Sequence, residues 1–230
     1  MINILLIEDD LDLQEIIKFY LEQENKYKVT VAHSAEDALQ LVDTEIFNII
    51  LCDIMLPGMD GINLCAQLRR AIYCPIIFIS CLADEDNIIH ALKMGGDDYI
   101  VKPFSYKLLI AHIEANLRRT DQSRPRGERL LCVEDFILDT HEHTIDANGQ
   151  RHYLSPTEYE ILYYMMNNPN TILDMEEIYQ YIWHRPSYGD TRTITVHISN
   201  LRKKLELDSS KPRYIKTVRN LGYIFCPDPE

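Results

Sequence analysis

The sequence predicts two folded domains in series: an α/β domain with a doubly wound, five-stranded parallel sheet, then a smaller α+β domain. Three observations predict this. Residues 1–118 alternate strand-like and helix-like apolar runs five times with short connections, the pattern of a parallel sheet covered on both faces. The run TDQSRPRGER at 120–129 has no apolar residue and carries Pro and Gly, as a linker does. Beyond it the alternation stops, and short strand-like runs precede helical ones. The domains are placed at 1–120 and 129–227, with a linker at 121–128. A length of 230 residues suits two ordinary domains.

The elements follow in order. Ile2–Ile7 is a continuous apolar run, expected of a strand buried on both faces. Leu13, Ile16, Ile17, Tyr20 and Leu21 recur at helical spacing. Val29–Ala32 is a short strand, and Ser34 with Asp37 resembles a capping box opening the next helix. Strands at Ile46–Cys52, Pro75–Ser80 and Tyr99–Val101 alternate with helices at Ile62–Arg70 and Asn87–Met94, the second stopped by Gly95-Gly96. A last helix ends near Arg119. In the second half, strands over Leu130–Leu154 are broken by the turn Asp146-Ala147-Asn148-Gly149. Three helices and a hairpin containing Gly222 follow.

Composition bounds the function. At 46% hydrophobic and 26% charged, the chain is ordinary globular and neither disordered nor collagenous. No run approaches the roughly 18–20 apolar residues that span a bilayer. The start lacks a basic n-region and a cleavage site, and the six cysteines (52, 65, 74, 81, 132, 226) include no CxxC. The expectation is a cytoplasmic protein, not attached to a membrane, with reduced and mostly buried thiols. The net charge of −13 argues against nucleic acid only as an average. Residues 1–120 carry −9 and 121–184 carry −8, whereas 185–225 carry 9 basic and 3 acidic residues, a net of +6. Such a basic tract on an acidic chain is a footprint for a polyanion.

Ligands of a doubly wound sheet collect at the carboxyl ends of its strands. Glu8, Asp9 and Asp10 lie there after the first strand, Asp53 after the third, Ser80 after the fourth and Lys102 after the fifth. Singly, each reads equally as a solvated loop residue or a helix N-terminal charge. Together, several carboxylates in one crevice repel one another unless a cation is present, and hard oxygen donors suit Mg²⁺. A lysine ammonium and a serine hydroxyl beside them would grip phosphoryl oxygens, with an aspartate set up to attack a phosphoryl donor.

Ile7-Glu8-Asp9-Asp10, the run Asp53-Ile54-Met55-Leu56-Pro57-Gly58-Met59-Asp60-Gly61, Ser80, and Gly95 through Phe104 resemble the receiver domain of bacterial two-component response regulators. The resemblance implies Asp53 as phosphoacceptor for a sensor histidine kinase. It implies Mg²⁺ on Asp9, Asp53 and the Met55 carbonyl, with Glu8 or Asp10 close by. It also implies Ser80 as switch hydroxyl, Tyr99 as switch aromatic, Lys102 on the phosphoryl group and a cis Lys102–Pro103 bond. Homodimerisation would use the face of the fourth helix, fifth strand and fifth helix, at Ile88, Leu92, Asp97, Asp98, Leu108, His112 and Arg119.

In the basic tract, Ile194, Ile198, Leu201 and Leu205 form an apolar stripe on one helix face, with polar and basic side chains around it. Asn can pair with adenine and Val can touch a thymine methyl. Arg192–Leu205 (RTITVHISNLRKKL), then Tyr214–Tyr223, and Leu154-Ser155-Pro156-Thr157-Glu158-Tyr159 resemble the winged helix-turn-helix effector of the OmpR/PhoB-type subfamily. The resemblance implies binding of double-stranded DNA at repeated half-sites, with a helix from Asp190 to Leu207 in the major groove. Thr193, Val196 and Asn200 would be nearest base edges. Arg192, His197, Ser199, Arg202, Lys203 and Thr217 would mostly meet phosphates or sugars, and Arg219 would probe the minor groove. The loop at 184–190 would face RNA polymerase, while Trp183 reads as core.

The chain departs from the subfamily pattern in two places. Ser199 and Asn200 stand where arginine is common, which predicts weaker and less salt-dependent DNA binding. Ile88 and Leu108 stand where an ion pair is common, which leaves room for association without phosphorylation. A phosphorylation-independent regulator is thus the alternative. An Asp-nucleophile phosphatase needs a second acid at position 55, where Met55 stands, so no enzyme activity is expected. A redox sensor is disfavoured because Cys52 and Cys74 lie in or beside apolar strands.

Overall fold

The structure, a computed structural model, describes every residue except 71, 123–128, 135, 184–186, 188–190 and 229–230, with the backbone alone at 119–122. The chain divides into two compact units, Met1–Leu117 and Arg118–Glu230.

The first unit runs β1 (Ile2–Ile7), α1 (Leu11–Glu22), β2 (Tyr27–Ala32), α2 (Ala35–Thr44), β3 (Ile49–Asp53), α3 (Gly61–Leu68), β4 (Ile76–Ser80), α4 (Glu85–Lys93), β5 (Asp98–Val101) and α5 (Tyr106–Gln122). All five strands are parallel, in the order β2-β1-β3-β4-β5. Period-two alternation divides their side chains between two cores. Leu5, Ile7, Ile50, Cys52, Ile76 and Phe78 pack with Ala38 of α2 and Leu64, Cys65 and Leu68 of α3. Ile4, Leu6, Ile49, Leu51, Ile77 and Ile79 pack with Ile17 and Leu21 of α1 and Leu109 and Ile113 of α5. Both strand faces are apolar because both are covered, which is why β1 reads as an unbroken apolar run. Asp10, Ser34, Asp60 and Asp84 cap α1 to α4 by accepting backbone N–H groups of the first turn. The sheet order reverses at β1, between β1 and β3, and the crevice opens at the carboxyl ends there.

The second unit runs β6 (Leu130–Val133), β7 (Phe136–Asp139), β8 (Thr144–Ala147), β9 (Gln150–Tyr153), α6 (Pro156–Asn167), β10 (Ile172–Leu173), α7 (Met175–Trp183), α8 (Arg192–Leu205), β11 (Ile215–Val218) and β12 (Gly222–Phe225). β6 to β9 form an antiparallel meander, and β10-β12-β11 a second sheet ending in a hairpin. This is the α+β arrangement expected, with its three helices and closing hairpin. α6 opens on a full capping box between Ser155 and Glu158, with Pro156 in its first turn. Ile194, Ile198, Leu201 and Leu205 of α8 are fully buried, as is Trp183. The predicted end of this helix at Leu207 is corrected to Leu205. The carboxylate of Glu206 turns back to accept the N–H groups of Arg213, Tyr214 and Ile215 at 2.8–2.9 Å, which breaks the helix there. Gly222, at φ +138°, faces the Leu173 carbonyl, where a Cβ would lie 2.0 Å from that oxygen.

Asp139, at the end of β7, accepts from Arg129 and from the backbone N–H of His141 and Glu142. Burial opposes its ionisation, but these donors override it and hold the carboxyl at about 2 against an ordinary 3.8. A depressed folded value stabilises above the unfolded value and is lost as pH falls through the folded one. The second unit is therefore expected to lose thermal stability between pH 4 and pH 2, a slope that Asp139→Asn should flatten in a pH series of melting curves.

Among the described residues no helix is long and apolar enough to cross a membrane. Cys52 and Cys65 are buried, as expected, whereas Cys81 and Cys132 are exposed. Cys81 follows directly on the end of β4, and Cys132 lies on the edge strand β6.

Candidate functional site

The end of β1 carries Glu8 and Asp9, and the end of β3 carries Asp53. One carboxylate oxygen from each of the three lies within 4.8 Å of the others. Lys102, just after β5, reaches across the crevice to donate to Asp53 Oδ2 at 2.5 Å and Glu8 Oε2 at 2.8 Å. The backbone N–H of Met55 donates to Asp53 Oδ1 at 2.9 Å, so both oxygens of the Asp53 carboxylate are held. Burial pushes the Glu8 carboxyl above its usual range, and the Lys102 ammonium pulls against that rise. Lys102 is itself partly desolvated, yet its two carboxylate partners raise its pKa and keep it charged. Three carboxylates facing one ammonium leave negative charge uncompensated, so the donor set fits a divalent cation.

Asp10 does not join this group. Its Oδ1 accepts from the N–H groups of Asp12 and Leu13, so the expected role beside the cation is corrected to the N-cap of α1. Ser80 is fully buried at the end of β4, and its Oγ accepts from Leu82 N–H at 3.4 Å. The Tyr99 hydroxyl donates to the Leu82 carbonyl at 2.6 Å. Burial raises the Tyr99 pKa, against a hydrogen bond to Ser80 that lowers it. The Ser80 and Tyr99 hydroxyls thus meet around Leu82. The Lys102–Pro103 bond is cis.

The expected association face is only partly available. Leu108 is 41% exposed, while Ile88, Leu92, Asp98 and His112 are buried. Asp98 Oδ2 accepts from Asn116 at 3.0 Å and lies 2.7 Å from His112 Nδ1, so these polar groups are engaged within the chain. Asp97 is corrected outright. Successive residues point to opposite sides of a strand, and Asp97 points to the α3 side, where it takes the Arg69 guanidinium and the Ile76 N–H. The Arg119 side chain lies outside the described residues.

On α8 the outward positions are Arg192, Thr195, Ser199 and Lys203, of which Thr195 and Lys203 are exposed. Sequence reasoning misses Thr195, although its spacing from Arg192 and Ser199 puts it on the same arc. Thr193 is half-buried. His197 flanks the apolar stripe and is 1% exposed, a core histidine rather than a phosphate contact. Val196 and Asn200 point away from the stripe, yet are only 3% and 8% exposed. As the chain stands they do not reach a base edge, because periodicity gives a side chain's direction and not what packs over it. Arg202 is corrected as well. It donates to the Ile215 carbonyl at 2.7 and 2.9 Å and to Thr217 Oγ1 at 2.8 Å, and lies over the Tyr223 ring, bracing the hairpin. Burial lowers its pKa. Thr217 and Arg219 are exposed on the hairpin. Apart from Ser187, the loop at 184–190 lies outside the described residues.

Residues 4–114 match the family described as response regulator receiver domain, and residues 149–225 match transcriptional regulatory protein, C terminal. The chain is 35% identical to the transcriptional regulatory protein YvrH of Bacillus subtilis over 99% of its own length and 97% of that protein. It is 37% identical to the transcriptional regulatory protein SrrA of Staphylococcus aureus, over 97% and 95% respectively. Among solved structures it is similar to a mutant of RitR, with TM-score 0.78 and 26% identity over 98% of this chain and 99% of that one. It is also similar to DrrB of Thermotoga maritima, an OmpR/PhoB homologue, with TM-score 0.52 and 28% identity over 98% and 99%.

Proposed function

The chain belongs to the DNA-binding transcriptional response regulators of the OmpR/PhoB type, and on that premise we propose that it is switched by phosphoryl transfer from a sensor histidine kinase to Asp53. The observation that carries this is the Lys102 ammonium bridging Asp53 and Glu8 inside a cluster of three carboxylates. In the transfer, an Asp53 carboxylate oxygen forms a bond to phosphorus as the bond to the donor's imidazole nitrogen breaks, and that nitrogen leaves with the electron pair. Lys102 turns its protons to the phosphoryl oxygens, and Met55 N–H keeps the carboxylate oriented. Glu8, Asp9 and Asp53, with the Met55 carbonyl, would hold Mg²⁺. When bound, the ion neutralises charge developing on the phosphoryl oxygens. The phosphorylated side chain carries about −2 of charge in place of the carboxylate's −1, and attracts the Ser80 hydroxyl. That draws Ser80 from Leu82 and leaves Tyr99 free to settle inward.

Dimerisation through α4, β5 and α5 would start from exposed Leu108, and repeated half-sites would follow from two α8 helices in one assembly. Arg192, Thr195, Ser199 and Lys203 would enter the groove region, with Thr217 and Arg219 on the hairpin. RNA polymerase is the further partner, through the 184–190 loop. No acid stands at position 55 to activate water, so the chain acts as substrate and not as phosphatase.

Intact mass after incubation with Mg²⁺ and a small phosphodonor tests the switch. A single phosphoryl adduct is expected, absent in Asp53→Asn. An adduct that persists in the variant rejects Asp53 as acceptor, whereas none in either protein leaves strict dependence on the kinase or a receiver that works without phosphate. Sedimentation of the same samples tests whether the adduct shifts monomer to dimer.

The DNA reading separates two neighbouring cations. Removing a phosphate contact by Lys203→Ala should reduce the slope of log affinity against log salt by about 0.9. Arg202→Met should weaken binding by loosening the hairpin while leaving that slope unchanged. A salt titration of both variants checks it.

A further inference from the structure

Glu8 and Asp9 follow directly on β1, and the peptide that joins them is contacted by a side chain from α1. Gln14 is 5% exposed and sits between the ends of β1 and β2. Its amide Nε2 donates to the Glu8 carbonyl and lies 2.9 Å from His33 Nδ1, just beyond β2. A carbonyl only accepts, so the nitrogen of the Gln14 amide must face Glu8, and His33 Nδ1 must accept the second proton. The ring therefore carries its own proton on Nε2. The Glu8 carbonyl belongs to the peptide that joins Glu8 to Asp9. Fixing that peptide plane fixes the directions in which both carboxylates leave the backbone.

We propose that Gln14 is a positioning residue for the divalent cation at Asp53, orienting the Glu8–Asp9 peptide through its amide and anchored in turn by His33. The inference rests on the phosphoacceptor reading. Gln14 does not touch the cation or the phosphoryl group. Its contribution is to hold the carboxylates in place before the ion arrives, the kind of support whose loss typically weakens metal affinity by about 10–100-fold.

The experiment is calorimetric titration of the full chain with Mg²⁺, comparing the wild type with Gln14→Met, which keeps length and volume but has no donor. The expected result is a dissociation constant raised about tenfold, with phosphoryl uptake recovered at saturating Mg²⁺, alongside the modest fall in melting temperature that a Glu8 carbonyl short of its donor brings. A purely structural role would move the melting temperature and not the affinity. His33→Phe removes the anchor while leaving Gln14 in place, and should raise the constant in the same direction by less. It also decides the matter if Gln14→Met does not fold. Wild-type affinity in Gln14→Met, or in His33→Phe where that variant alone can be measured, overturns the positioning role. A wild-type chain that binds no Mg²⁺ overturns the site reading itself, a distinct result.

Discussion

Replacing Gly61 with Ala is expected to lower the stability of the first unit by about 3 kcal/mol, the upper range for forcing atoms into a filled core. A Cβ at this position would lie 2.0 Å from the Asp53 carbonyl oxygen and 2.9 Å from both the Asp53 carbonyl carbon and Cys52 Sγ. Two of these are backbone atoms of Asp53 itself, so no side-chain rotation relieves the clash. The chain must separate the start of α3 from the end of β3, and the Gly61 N–H to Ile54 carbonyl bond that closes this turn goes with it. Phosphoryl uptake should fall together with stability, in contrast to Asp53→Asn, which should remove uptake and leave the fold intact. Melting curves and intact mass on both variants separate the outcomes. A Gly61→Ala chain that melts like the wild type would show that the turn yields more easily than its geometry implies.

Arg69→Met is the second large effect, with an expected loss of about 3–5 kcal/mol, the range for breaking a buried ion pair from one side. Asp97 is fully buried, and its carboxylate takes the Arg69 guanidinium and the Ile76 N–H. Arg69 also donates to the carbonyls of Gly95 and Cys74, at 2.8 and 2.7 Å, tying α3 to the loop before β5. Removing the guanidinium leaves a charge in the interior and two carbonyls short of a donor. The double variant Arg69→Met/Asp97→Leu should recover much of the loss, since an apolar pair carries no uncompensated charge. Denaturant unfolding of the two single variants and the double checks this. Additive losses would mean that the two side chains do not act as a pair.

These two residues illustrate how far the sequence carries. Asp97 and Asp98 are adjacent acids, and the resemblance to receiver domains implies both for the association face. A strand sends neighbours to opposite sides, so only one of them faces α5. The acidic crevice was legible because the sheet's topology brings strand ends together, and the apolar runs that mark strands are local features. Lys102 was legible for the same reason. Gln14 and Arg69 were not, because each acts through partners far along the chain and neither stands in a local pattern that marks it.

By itself the sequence determined the two-domain order, the parallel sheet with its crevice, the convergence of Glu8, Asp9, Asp53 and Lys102, and the apolar stripe that seats α8. Each follows from periodicity or from strand order, which neighbouring residues encode. Tertiary structure decided that Asp10 caps a helix instead of joining the cluster, that Arg202 braces the hairpin, and that Val196 and Asn200 are covered. Those outcomes depend on which donor or surface arrives from elsewhere in the chain. A buried polar group goes to whichever partner satisfies it, and no run of neighbouring residues records that choice.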